Sequence, residues 1–113
     1  MARTYRILGQ VSPTANILSN LYAVPSNNSA IISSITISNY DERSGVTGNA
    51  FSISVNAAGS PVTNTNMIAY KVNCPIRDSI TLTLGITLNA NSIVSVNANG
   101  SSMAFSAFGT EIY

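Results

Sequence analysis

Histidine and tryptophan are absent from this chain of 113 residues, and charge is nearly so. Charged side chains make up 8 % of the residues, against roughly 25 % in ordinary soluble domains. Each shortage removes a class of function. A serine or cysteine nucleophile normally needs a base beside it; there is no histidine, and Lys71 is the only lysine. Zinc sites draw on clustered cysteine and histidine, which are missing. Five scattered cations cannot form a stripe that tracks phosphates, so nucleic acid is not an expected partner. The one cysteine, Cys74, has no partner for an internal disulfide, which argues against a small bridge-stapled secreted domain. Ahead of Pro75, it reads as a small half-buried apolar residue. No apolar run reaches the length of a membrane span or a signal-peptide core, so neither membrane insertion nor export by a signal peptide is expected. The triplets Asn27-Asn28-Ser29 and Asn99-Gly100-Ser101 are what so much Asn and Ser produces by chance.

The few carboxylates give little more. Glycoside hydrolysis takes a facing pair, which would have to come from Asp41, Glu42, Asp78 and Glu111. Asp41 and Glu42 adjoin in an expected loop, where a solvated turn is the simpler reading. No loop has the ligand spacing of a calcium site. The chain is therefore expected to be non-enzymatic, with no catalytic residues, no cofactor and no metal.

What is there is alternation. Along Ser79–Asn89, Ile80, Leu82, Leu84, Ile86 and Leu88 take one face and Ser79, Thr81, Thr83, Thr87 and Asn89 the other. That is a strand with one buried side and one polar side, and Gly85 in its middle predicts a bulge or bend. Phe51–Ala57, Val94–Asn99 and the stretch around Ile35 and Ile37 alternate in the same way. Weaker strands are expected at Thr4–Gln10, Ile17–Val24, Asn66–Val72 and Met103–Phe108. In Ile17–Val24 and Asn66–Val72 both faces carry apolar groups, which predicts that both are covered. Turn residues fill the gaps, and Asn99-Gly100 between two alternating runs predicts a hairpin. No helical stripe is sustained, and Ser, Asn and β-branched residues disfavour helices. The fold class is all-β: a single antiparallel β-sandwich of about eight strands, jelly-roll-like, over residues 1–113, with residues 1–6 as a candidate N-terminal arm.

Phe51, Phe105 and Phe108 are expected in the core, and the tyrosines at half-buried strand positions with hydroxyls at the rim. Tyr40, opening the most polar loop, is the best candidate for an exposed contact. Ile80–Leu88 is apolar, β-prone and uncharged, so at an open sheet edge it would invite association. Monomers guard such edges with lysine, proline or charge, which are scarce here. A symmetric homo-oligomer that covers the edge is expected, a trimer being favoured.

The opening RILGQVSPTANILSNLYAVPSNNSAIISSITISN resembles small virion proteins of tailed bacteriophages, cyanophages included. In them Leu-Gly-Gln leads to a Leu-Tyr-x-Val-Pro strand end, then to an apolar strand finishing in Asn. The closing LGITLNANSIVSVNANGSSMAFSAFGTEI resembles the end of the same proteins, with Gly-Ile-Thr-Leu, a short valine strand and a Phe-Gly-x-Glu-Ile tail. Most of the chain is covered; roughly Tyr40–Lys71 matches in pattern only. The resemblance implies a β-sandwich virion structural protein, made in the host cytoplasm. It points first to a capsid decoration or cement protein, in contact with itself and the major capsid protein. A neck, collar, baseplate or tail-fibre-associated component is the alternative. A host-glycan-binding module using Tyr40 and the Asp41–Gly48 loop is a second alternative, against which the lack of tryptophan counts. Interface candidates are Arg3, Tyr5 and Arg6 near the start, Tyr40 and Arg43 in the long loop, and Glu111, Ile112 and Tyr113 at the end.

Overall fold

The computed structural model describes residues 3–57 and 60–113. Eight strands follow one another: β1 (Arg3–Val11), β2 (Ser19–Ala23), β3 (Ser29–Asn39), β4 (Gly48–Ala57), β5 (Met67–Pro75), β6 (Asp78–Leu88), β7 (Ser92–Ala98) and β8 (Met103–Ile112). The only helical element among the described residues is one 3-10 turn at Asn64–Asn66. Two four-stranded antiparallel sheets face each other, ordered β1-β8-β3-β6 and β2-β7-β4-β5. That pair of orders is the jelly roll, in which successive strands mostly switch sheet and only β4 and β5 are both adjacent in sequence and paired. Every stretch read as a strand from alternation is one. The ends differ most at β8, which runs on to Ile112.

The expected Asn99-Gly100 hairpin is not formed, because β7 and β8 lie in different sheets. A two-residue hairpin of that type needs positive φ at its central residues, and neither Asn99 nor Gly100 has one. The segment instead carries the chain from one sheet to the other.

The core is the inward half of each alternation. Ile32, Ile35, Ile37, Phe105 and Ala107 from the first sheet meet Phe51, Ile53, Val94 and Val96 from the second. At the centre Phe51 and Phe105 pack edge to face across the sheets, 6.0 Å apart at 73°. Phe108 is half-buried rather than core: it falls on the outer parity of β8 and pairs with Ile7 on β1. Cys74 is fully buried, deeper than expected, and burial pushes its thiol pKa up.

Three irregularities cross the first sheet near Phe108. Leu8 is the extra residue on β1, Ser33 on β3, and Leu84-Gly85 break the register of β6. The bulge foreseen at Gly85 thus belongs to a transverse line that bends the sheet. On β1 it turns Leu8 into the core. On β8 it makes Gly109 obligatory, since a Cβ there would lie 2.1 Å from the Ile31 carbonyl oxygen.

Candidate functional site

The two flanks of the sandwich, where the sheets' edge strands come side by side, are built differently. On one, β1 meets β2 so closely that a Cβ on Gly9 would fall 2.0 Å from the Leu21 carbonyl oxygen. A polar staple lies beside this contact. The Tyr22 hydroxyl donates to Glu111 Oε2 at 2.5 Å, and Arg6 reaches Glu111 Oε1 at 3.1 Å. Glu111 and Tyr22 are both buried, so β2 of one sheet is tied to β8 and β1 of the other. Burial, with the carboxylate alongside, raises the phenol pKa of Tyr22 well above its ordinary range.

The other flank is open. β5 and β6 are edge strands of different sheets, and no described strand pairs with their outer sides. Ile80, Leu82, Leu84 and Ile86 point inward from β6 and pack on the core, yet all four are only half-buried. Fully burying a Leu or Ile side chain contributes roughly 1.5–3 kcal/mol, so covering the rest of each is worth about 1 kcal/mol. Across this opening, β5 is bulged twice and exposes Ile68 (42 %) and Val72 (38 %). The expectation that both faces of Asn66–Val72 are covered is corrected here: β5 is an edge, and its bulges break the alternation. Ile17 and Leu18 are likewise exposed, because β2 starts only at Ser19.

β6 differs from guarded edges. It runs for 11 residues without lysine or proline, its one charge is Asp78 at the first position, and its solvent face is Ser79, Thr81, Thr83 and Thr87.

A second apolar patch sits on the outer face of the first sheet. Register places Ile7 opposite Phe108, and Tyr5 opposite Thr110, which is opposite Ile31. Tyr5 is 75 % exposed and Ile7 52 %. Tyr40 is exposed, as its place in the polar loop suggested; of the tyrosines expected half-buried, Tyr5, Tyr70 and Tyr113 are exposed and Tyr22 is buried.

The interface candidates fall into two groups at opposite ends of the first sheet. Arg3, Tyr5, Arg6, Glu111, Ile112 and Tyr113 come together where β1 starts and β8 ends, with Thr4 Oγ1 and the Tyr113 hydroxyl 2.6 Å apart. Arg3 and Arg6 are strand residues of β1; Met1 and Ala2 of the candidate arm lie outside the described residues. Tyr40 and Arg43 lie past the far end of β3. The Tyr40 hydroxyl is 2.7 Å from Ser12 Oγ and donates to the Ser101 carbonyl at 3.3 Å.

The loop after Tyr40 is not the solvated turn expected of Asp41. That residue is 2 % exposed. Its carboxylate accepts from Arg43 Nε and Nη2, from the Arg43 backbone N–H at 2.9 Å, and from Asn49 Nδ2 at 3.3 Å. The Arg43 guanidinium, then its backbone N–H, hold the Asp41 pKa well below the usual carboxylate range. Asn39 completes the anchor by donating to the Cys74 carbonyl at 2.9 Å. These groups fix the loop. Among the described residues, no three of His, Cys, Asp or Glu are grouped as a metal site would need.

No protein-family model matches the chain, and no curated protein does. Solved structures give distant likenesses. A chain of the acidic stable capsid structure of Helicobacter pylori bacteriophage KHP30 is 12 % identical, with 99 % of this chain and 94 % of that one covered and a TM-score of 0.49. One from the infectious bursal disease virus Gx strain is 12 % identical over 97 % of this chain and 31 % of its own, at a TM-score of 0.44. A pentameric capsid protein isolated from metagenomic phage sequences is 12 % identical over 97 % and 61 %, at a TM-score of 0.33. This chain therefore spans less than two thirds of the last two. The jelly-roll assignment rests on strand order, not on these values.

Proposed function

We propose that this chain is a non-enzymatic virion structural protein that assembles with further copies of itself through its open flank. The observation that carries this reading is the unguarded β6 edge, beside core side chains that the single chain leaves half-covered. A neighbouring strand there would satisfy backbone groups and cover Ile80, Leu82, Leu84 and Ile86 together. Near-neutral charge, +1 in total, offers little repulsion between copies. The jelly roll is an architecture used by viral capsid and lectin domains, and the resemblance of the chain's two ends to phage virion proteins favours the first use.

Within the particle, the role is that of a capsid decoration or cement protein. Cement needs two contacts, one among its own copies and one to the shell. The open flank supplies the first. The patch of Tyr5, Ile7, Ile31 and Phe108, with Arg3, Ile112 and Tyr113 beside it, supplies the second. Quantitative mass spectrometry of purified particles, scaled to the major capsid protein, tests this. A copy number of the same order as the shell subunit is expected. A handful of copies would move the protein to the neck or tail, and its absence would overturn the virion reading.

A further inference from the structure

The outer face of the β2-β7-β4-β5 sheet carries a groove of about 460 Å³ that reaches the β5 edge. That lies within the ~300–1,000 Å³ range of small-ligand clefts. Its floor is Ser52, Ser54 and Asn97, and its walls are Asn16 on one side and Tyr70 and Lys71 on the other. No carboxylate lines it, and its one cation, Lys71 Nζ, lies against the Tyr70 ring, 5.3 Å from the centroid. Such a lining suits neither a metal ion nor a phosphate. It presents amides and hydroxyls, groups that both donate and accept, interspersed with the apolar Leu18, Ala50 and Met67 and beside an exposed aromatic ring.

Two features mark the groove as more than a dent in a polar face. Ser54 is 1 % exposed, and its hydroxyl has no hydrogen-bond partner. Buried hydroxyls are nearly always partnered, so this one is left for something that enters the groove. The second is the β5 bulge. Lys71 takes a left-handed φ of 48°, uncommon outside glycine, and its N–H donates to Ser52 Oγ at 3.0 Å. The bulge leaves Tyr70 and Lys71, adjacent in sequence, together on the groove wall, which plain alternation would not allow.

We infer that this groove binds a neutral carbohydrate, the Tyr70 ring packing on a sugar face while Ser52, Ser54 and Asn97 bond its hydroxyls. The site shares strand β5 with the open flank but is separate from Tyr40 and its loop. The test is an amide-resolved NMR titration of the full chain with maltohexaose, cellohexaose and chitohexaose, each to about 10 mM, a range that reaches millimolar affinities. With at least one of them, shifts are expected at Ser52, Ser54, Tyr70 and Asn97. Tyr70→Ala should weaken that binding roughly tenfold, the scale of one lost aromatic contact. Asn97→Ala should weaken it too, while Tyr40→Ala leaves it unchanged. Tyr70 is exposed, and Tyr70→Leu checks that loss follows the ring rather than the fold. Silence of these amides with all three sugars would overturn the inference. So would binding that survives both Tyr70→Ala and Asn97→Ala, or that moves with Tyr40→Ala.

Discussion

The staple between Tyr22 and Glu111 should be one of the strongest single polar contributions to this fold, and its strength follows from where its members sit. Glu111 faces two donors. Tyr22 is buried with it, whereas Arg6 keeps 49 % of its side chain in solvent. A hydrogen bond to a charged group contributes about 1.5–3 kcal/mol, and an ion pair open to water about 0–1 kcal/mol. The Tyr22 contact should therefore dominate. For a chain of 113 residues, about 4 °C of melting temperature corresponds to 1 kcal/mol. Tyr22→Phe, which removes the hydroxyl and keeps the ring, should lower the midpoint by roughly 6–12 °C. Arg6→Gln should lower it by less than about 4 °C. The assay is thermal unfolding at one fixed protein concentration, with a double-mutant cycle on Tyr22→Phe and Glu111→Gln. Coupling of about 1.5–3 kcal/mol is expected, and coupling below about 0.5 kcal/mol would refute the reasoning. The sign against pH is also set. The folded phenol pKa is raised, so this stability is full below the unfolded value near 10 and falls as pH climbs past it. Tyr22→Phe should remove that part of the alkaline loss.

Three further outcomes are expected. Gly109→Ala would drive a Cβ into the Ile31 carbonyl, which is backbone and cannot swing aside; a loss of at least ~3 kcal/mol is expected, and a near-wild-type urea midpoint would count against the bent sheet. Asp41→Asn should lower the melting temperature at neutral pH. The Asp41 pKa is depressed in the fold, so its contribution is present above the usual carboxylate range and lost as pH falls through and below it; the variant should therefore unfold over acid pH with a flatter profile than the wild type. Cys74 should react with a thiol reagent only as fast as the chain opens, and stoichiometric labelling of the folded protein within seconds would contradict its burial.

Much of the fold is legible in the sequence because most strands have one apolar parity. The Ile80–Leu88 alternation is β6, and the bulge or bend expected at Gly85 is a break in its register. Pairing is a different matter. In a jelly roll most contacts join strands distant in sequence, so nothing local at Asn99-Gly100 says that β7 and β8 belong to opposite sheets. Bulges also erase parity: the extra residue at Leu8 sends an apolar side chain inward, and those on β5 expose Ile68 and Val72. Glu111 is instructive in the other direction. It shares the inward parity of Phe105 and Ala107 on β8, beyond the end of the expected strand, and the hydroxyl of Tyr22 meets its carboxylate there. Asp41 was expected in a solvated turn because it is charged, yet its arginine partner two residues away lets it be buried. The Ser54 groove could not be found from alternation, because it needs β4, β7 and a bulged β5 side by side.

The central claim is assembly through the β5–β6 flank. Sedimentation velocity over a wide range of protein concentrations, on the wild type and on a Thr83→Lys, Thr87→Lys variant, tests it most directly. Both threonines are exposed on β6, so the lysines should spare the fold while setting like charges along the edge. The wild type should sediment as a discrete closed oligomer, a trimer by expectation, and the variant as the 11.8 kDa monomer. A wild type that stays monomeric throughout, or a variant that assembles just as well, would contradict the account.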